Sequence, residues 1–119
     1  MKSFFKLIII CLLVVSCRDD MALIPAGFEH ISKDRNSHFI YVHPEFLGER
    51  VKQRETGRVI CKEVFKEIDY CEIYFFKDKE EVPMKFPIMN RIHPIGYYEF
   101  KNGKEKFKAL TEDDLATFE

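Results

Sequence analysis

The residues of this chain that could do chemistry are two cysteines, a few histidines, many carboxylates and two arginines one helical turn apart. Cys61 and Cys71 have nine residues between them. A redox-active dithiol wants the close Cys-x-x-Cys spacing at a helix start, so this pair reads as a structural disulfide once an oxidising compartment is granted. Neither Ser32 nor Ser37 lies in a Gly-x-Ser-x-Gly turn, which leaves an esterase or lipase without its nucleophile. His38 and His43 are five apart on a predicted strand, so they point to opposite faces and cannot share one ion. With His30 and His93 they read as surface or strand-end residues. No His-Glu-x-x-His pattern occurs, and neither a metal nor a cofactor is expected. Glu63 and Glu72 are the carboxylates most easily imagined as a glycosidase pair, but charged residues are usually solvated and the chain is small for a sugar groove. Arg54 and Arg58 could together clamp a carboxylate or another anion, and they are the expected partner contact. Lys101, Lys104, Lys106 and Lys108 read as a guard against edge-to-edge aggregation of a last strand, with an anion-binding patch as the alternative.

Those side chains sit in 119 residues, 46% hydrophobic and 33% charged, enough for one small domain. Lys plus Arg number 19 against 20 Asp plus Glu, a net charge of -1, so no basic excess supports nucleic-acid binding.

The compartment is read from the first segment. Lys2 and Lys6 precede an unbroken apolar run from Leu7 to Val15, the pattern of a secretory signal peptide. That run is about half the roughly 20 residues a membrane-spanning helix requires. Its end, Val14-Val15-Ser16-Cys17, resembles the lipobox of bacterial lipoproteins. The resemblance implies cleavage before Cys17, a diacylglycerol group on its sulfur and anchoring in the membrane through that lipid. Arg18 follows the cysteine, and by the sorting rule of such lipoproteins an Asp there would have favoured the inner membrane. The expectation is therefore an outer-membrane anchor with the domain facing the periplasm. There the pair Cys61 and Cys71 should be oxidised.

The organisation that follows is a signal peptide over 1–16, a lipidated tether over 17–27 and one α+β domain over 28–119. Ser37 to His43 alternates branched and aromatic residues and predicts a strand buried on both faces. Pro44 starts a helix whose Leu47, Val51, Cys61 and Phe65 fall on one side, broken or continuous through Gly57. Tyr70 to Lys77 predicts a second strand, parallel to the first if the crossover is right-handed. Lys77 to Asn90, with Pro83 and Pro87, reads as irregular connection. Asn102-Gly103 joins two alternating runs in a type I′ hairpin that sets Tyr98 opposite Phe107 and Glu99 opposite Lys106. Thr111 onward resembles a helix start, with Leu115 and Phe118 able to cover the sheet. The expected fold is a sheet of about four strands with helix on one face, in the order strand, helix, strand, hairpin.

Such a chain has a compartment and no catalytic motif. The expected function is a noncatalytic, lipid-anchored protein-binding module, in its specific form an immunity or exclusion protein. The alternatives are an accessory subunit of an envelope secretion or assembly machine and a small carboxylate-based cell-wall hydrolase.

Overall fold

A computed structural model describes residues 20–88 and 91–110. The signal peptide expected over 1–16, the lipidation expected at Cys17 and the helix expected from Thr111, with Leu115 and Phe118, lie outside the described residues. The sheet has five strands in the order of the chain: β1 (Phe28–Asp34), β2 (Ser37–Val42), β3 (Tyr70–Phe76), β4 (Gly96–Lys101) and β5 (Lys104–Ala109). Among the described residues only β2 and β3 run parallel; the other neighbours are antiparallel hairpin or loop-connected pairs. A parallel pair needs a crossover, and the helix α1 (Arg50–Val59) with its π-helical turn (Ile60–Val64) supplies it.

The α+β class holds, with five strands in place of the expected four. The added strand is β1, paired to β2 through a tight turn in which Arg35 takes a φ of 55°. Its run Phe28-Glu29-His30-Ile31-Ser32-Lys33-Asp34 alternates poorly because a bulge interrupts it: the pairing shifts between His30 and Ser32. Ile31 is the extra residue and packs on the far side of the sheet.

One face of the sheet carries the main core, built from Phe28, Ile40, Val42, Cys71, Ile73, Phe75, Tyr98 and Phe100, and closed by Ile60 and Cys61 of the crossover. Ile24, ahead of β1, also packs against this core. The other face holds a smaller cluster of Phe39, Phe76 and Val82, with Tyr74, Phe86 and Ile92 against it. The irregular connection after β3 therefore covers sheet, and β2 is buried on both faces as its composition predicts.

The crossover helix departs from its expected phase. Val51 is 71% exposed and Leu47 is exposed as well, whereas Gln53, Thr56, Gly57, Ile60 and Cys61 face the sheet. This is an i, i+3, i+4, i+7, i+8 stripe, and two of its members are polar. Burial costs them little because each is satisfied: the Gln53 amide donates to the Phe46 and Leu47 carbonyls, and the Thr56 hydroxyl to the Lys52 carbonyl. The helix is continuous through Gly57, whose bare Cα lets the Tyr98 ring lie against it.

Cys61 and Cys71 are bonded, with Cα atoms 5.8 Å apart, and both are fully buried. The bond ties the end of the crossover to the start of β3. By the chain-entropy account it stabilises the fold by about 2–3 kcal/mol.

The β4–β5 hairpin has the expected register, with Tyr98 opposite Phe107, Glu99 opposite Lys106 and Lys101 opposite Lys104. Asn102 and Gly103 have φ of 50° and 79°, both in the left-handed region that a type I′ turn requires. Open space surrounds the Gly103 Cα, so a side chain there meets no neighbour and any penalty is conformational. Gly103→Val is expected to cost about 1–3 kcal/mol in urea unfolding. A cost below a few tenths would mean the turn does not hold that geometry.

Candidate functional site

The bulge in β1 decides what the strand places beside β2. It keeps His30 on the helix side and returns Lys33 to that side opposite His38. The chain leaving the π-helical turn completes the group. The Phe65 amide donates to the Ile60 carbonyl, Lys66 takes a φ of 53°, and the Glu67 amide donates back to the Cys61 carbonyl. This reversal swings the Glu67 carboxylate over the end of the sheet.

The result is a chain of hydrogen bonds running inward. His38 is fully buried; its Nε2 lies 2.7 Å from Glu67 Oε2 and its Nδ1 lies 3.0 Å from His30 Nε2. A carboxylate only accepts, so His38 carries its proton on Nε2 and donates to Glu67. Its Nδ1 then accepts, and the His30 Nε2–H must be the donor. Lys33 Nζ lies 3.2 Å from Glu67 Oε1 and 4.9 Å from the centre of the Phe65 ring, which also packs against both imidazoles. Burial, then the nearby His38 and Lys33, push His30 down to about 4. Burial also pushes His38 below the ordinary imidazole range, against the opposing pull of Glu67. Both rings are therefore neutral at pH 7, as the one-proton tautomer chain requires.

Ligand atoms of His38, Glu67 and Cys71 all lie within 4.8 Å of one another. With the disulfide closed, the Cys71 sulfur is committed to Cys61 and the two remaining groups satisfy each other. In this form the cluster is a hydrogen-bonded relay.

A second carboxylate is held on the opposite face of the sheet. Glu72 accepts from the hydroxyls of Ser37, Tyr70 and Tyr97, the latter two at 2.9 Å. Burial first, and then the Glu72 charge, push the Tyr70 phenol up to about 12 and hold those of Tyr74 and Tyr97 well above their ordinary value. Glu63, its imagined partner, is exposed on the crossover. The sheet stands between the two, so they do not face one cleft.

Arg54 and Arg58 do come together, around a residue the sequence did not single out. Arg58 donates to Glu105 from Nε at 2.5 Å and from Nη2 at 2.8 Å, and Arg54 Nε lies 3.5 Å from the same carboxylate. These bonds keep the Glu105 carboxyl below its usual range and hold Arg58 firmly charged. The arginine side chains remain 52% and 44% exposed. Lys104, Lys106 and Lys108 project from the other face of β5, also exposed.

Of the remaining histidines, His43 sits just past β2 with its Nε2 3.9 Å from Glu29, and His93 is exposed. The His30–His38–Glu67 chain was not foreseen. The signal that could have found it is the eight-residue separation of His30 and His38 across a short polar turn, Asp34-Arg35-Asn36, which is hairpin spacing. No family model, curated protein or solved structure matches this chain.

Proposed function

We propose that the chain is a bacterial envelope lipoprotein, anchored through lipid on Cys17 in the outer membrane with its domain in the periplasm. Its stapled domain acts as a noncatalytic module that binds an acidic surface on a protein partner.

The observation that carries the binding reading is the Arg54–Glu105–Arg58 cluster. One carboxylate shared by two guanidinium groups leaves a net positive charge in a fixed orientation, with about half of each arginine facing solvent. Arg held in this way loses little freedom when it takes a second carboxylate. β5 is the last strand of the sheet, and its lysines place further positive charge on the other side of the same edge. An acidic partner surface fits that rim. The noncatalytic reading is supported by how the inner carboxylates are used: Glu72 is taken by three hydroxyls, Glu67 by His38 and Lys33.

The test is crosslinking in cells with wild type and an Arg54→Glu/Arg58→Glu double variant. Capture of a defined partner should fall at least tenfold in the double variant while palmitate labelling and the Cys61–Cys71 bond are unchanged. Undiminished capture would remove the arginines from the interface. Cys17→Ser should abolish palmitate labelling; label persisting in that variant, or absent from wild type, would overturn the anchor.

A further inference from the structure

The disulfide lies beside the buried relay, and the two together make up a complete set of metal donors. Cys71 Sγ is within 4.8 Å of the His38 and Glu67 ligand atoms, and Cys61 is disulfide-bonded to Cys71. Two sulfurs, one imidazole nitrogen and one carboxylate oxygen thus meet at one corner of the fold, the Cys61 sulfur joined to the group through Cys71. Zinc takes four such donors at about 2.3 Å from sulfur and 2.0–2.2 Å from nitrogen or oxygen, which puts neighbouring donors roughly 3.3–3.8 Å apart. The His38, Glu67 and Cys71 donors lie within 4.8 Å of one another, at most about 1 Å beyond that range, and the 2.7 Å contact between His38 and Glu67 opens as the ion enters.

We propose that, when the Cys61–Cys71 bond is reduced, Cys61, Cys71, His38 and Glu67 form a zinc site, so that the disulfide and the metal are alternative staples for the same corner of the fold. The chemistry balances with a dithiol reductant. It gives two electrons to the S–S bond, becomes a disulfide itself and leaves two thiols on the chain. Each thiol loses its proton to solvent as its sulfur binds zinc. The reverse, oxidation of the two thiolates by a disulfide oxidant, expels the ion.

Three features beyond donor identity favour this site. Both cysteines and His38 are fully buried, so competing water is excluded, while Glu67 keeps 14% of its side chain exposed and marks the way in. The outer groups are also in place. His38 binds through Nε2, the nitrogen already facing Glu67; it then carries its proton on Nδ1, and His30 takes the tautomer protonated on its own Nδ1. His30 Nε2 thus accepts from His38 Nδ1–H, the kind of bond that orients a ligating imidazole. Lys33, paired with the second oxygen of Glu67, offsets part of the excess negative charge that two thiolates and a carboxylate bring. Finally, the amide of Glu67 is already tied to the Cys61 carbonyl at 2.8 Å, so two ligand-bearing segments are held together whether or not the sulfurs are bonded.

The experiment uses the full chain in detergent, reduced with dithiothreitol and freed of it without air, and titrated with zinc and separately with cobalt. Reduced protein should retain one zinc per chain through gel filtration, and cobalt should give thiolate-to-metal charge-transfer absorption with tetrahedral ligand-field bands. Oxidised protein should retain none. Glu67→Gln and His38→Gln should each weaken zinc binding at least tenfold with the thiols intact, and circular dichroism of the reduced wild type should regain its oxidised form on zinc addition. Failure of the reduced chain to take up zinc overturns the proposal. So does uptake unaffected by both substitutions, which would assign the ion to two thiolates in a loosened chain.

Discussion

Gly57→Ala is expected to destabilise the domain by about 2 kcal/mol, although the same change in an exposed helix would stabilise it. Gly57 has ordinary helical geometry, so its role is not conformational. A Cβ built there would stand 2.5 Å from Tyr98 Cγ and 2.8 Å from Cδ1, far inside contact distance. Tyr98 cannot give way easily, since it is fully buried among Phe75, Phe100 and Ile73 in the main core. Overpacking of this kind costs about 3 kcal/mol, and the better helix propensity of Ala returns about 1. The check is a double-mutant cycle in urea unfolding. Tyr98→Leu removes the ring, so Gly57→Ala should cost much less in that background than in wild type. Equal costs in the two backgrounds would show that the helix does not approach the sheet this closely. The contrast with Gly103→Val is informative, because one glycine is needed for space and the other for its φ.

The close approach of helix to sheet also accounts for what was legible in the sequence. The hairpin could be read to the residue because Asn102-Gly103 specifies its own turn and the alternation on each side fixes the register. The parallel pair β2–β3 and the disulfide followed from two strong apolar strands with a crossover between them. The helix phase could not be read from apolar residues alone. Its buried stripe runs through Gln53, Thr56 and Gly57, polar or without a side chain, and what makes those positions interior is hydrogen bonds to Phe46, Leu47 and Lys52 together with the shape of Tyr98. Val51, apolar and at the right spacing for the wrong stripe, is 71% exposed.

β1 was missed for a related reason. A bulge at Ile31 breaks the period of two, and the strand carries Glu29, His30, Ser32 and Lys33 within a few residues. Without β1, His30 has no neighbour and His38 seems to belong on a surface. The carboxylate that completes the group is placed by a left-handed Lys66 after a π-helical turn, and no local composition rule announces that geometry. Likewise Arg54 and Arg58 were identifiable as a pair one turn apart, but Glu105 lies 47 residues from Arg58 and is brought to it by the sheet.

The relay makes the oxidised protein sensitive to mild acid, and the sign can be worked through. His30 has an ordinary value of 6.5 and is held at about 4 in the fold; His38 is displaced in the same direction. Well above pH 6.5 both rings are neutral in folded and unfolded chains alike, and they contribute no slope. As the pH falls from 6.5 toward 4 the unfolded chain takes up protons that the folded one refuses, so stability is lost across that window. The groups facing the relay leave this direction unchanged: burial and Lys33 from β1 oppose new positive charge, and they outweigh the backbone hydrogen bond at His30 and the Glu67 carboxylate, which favour it. Glu105, held low by Arg58, acts in a different range, its contribution being lost below about 4.5, where the unfolded carboxylate protonates. The expected result is a urea midpoint that is flat above pH 7 and declines steadily between 6.5 and 5, before the carboxylates titrate. His30→Gln keeps a side-chain N–H to donate to His38 Nδ1 but cannot be protonated, so the decline between pH 6.5 and 5 should become shallower while the midpoint at pH 7.5 changes little. An unchanged slope in His30→Gln would mean that His30 titrates alike in folded and unfolded protein, and that the pair does not hold its protons in the chain from His30 through His38 to Glu67.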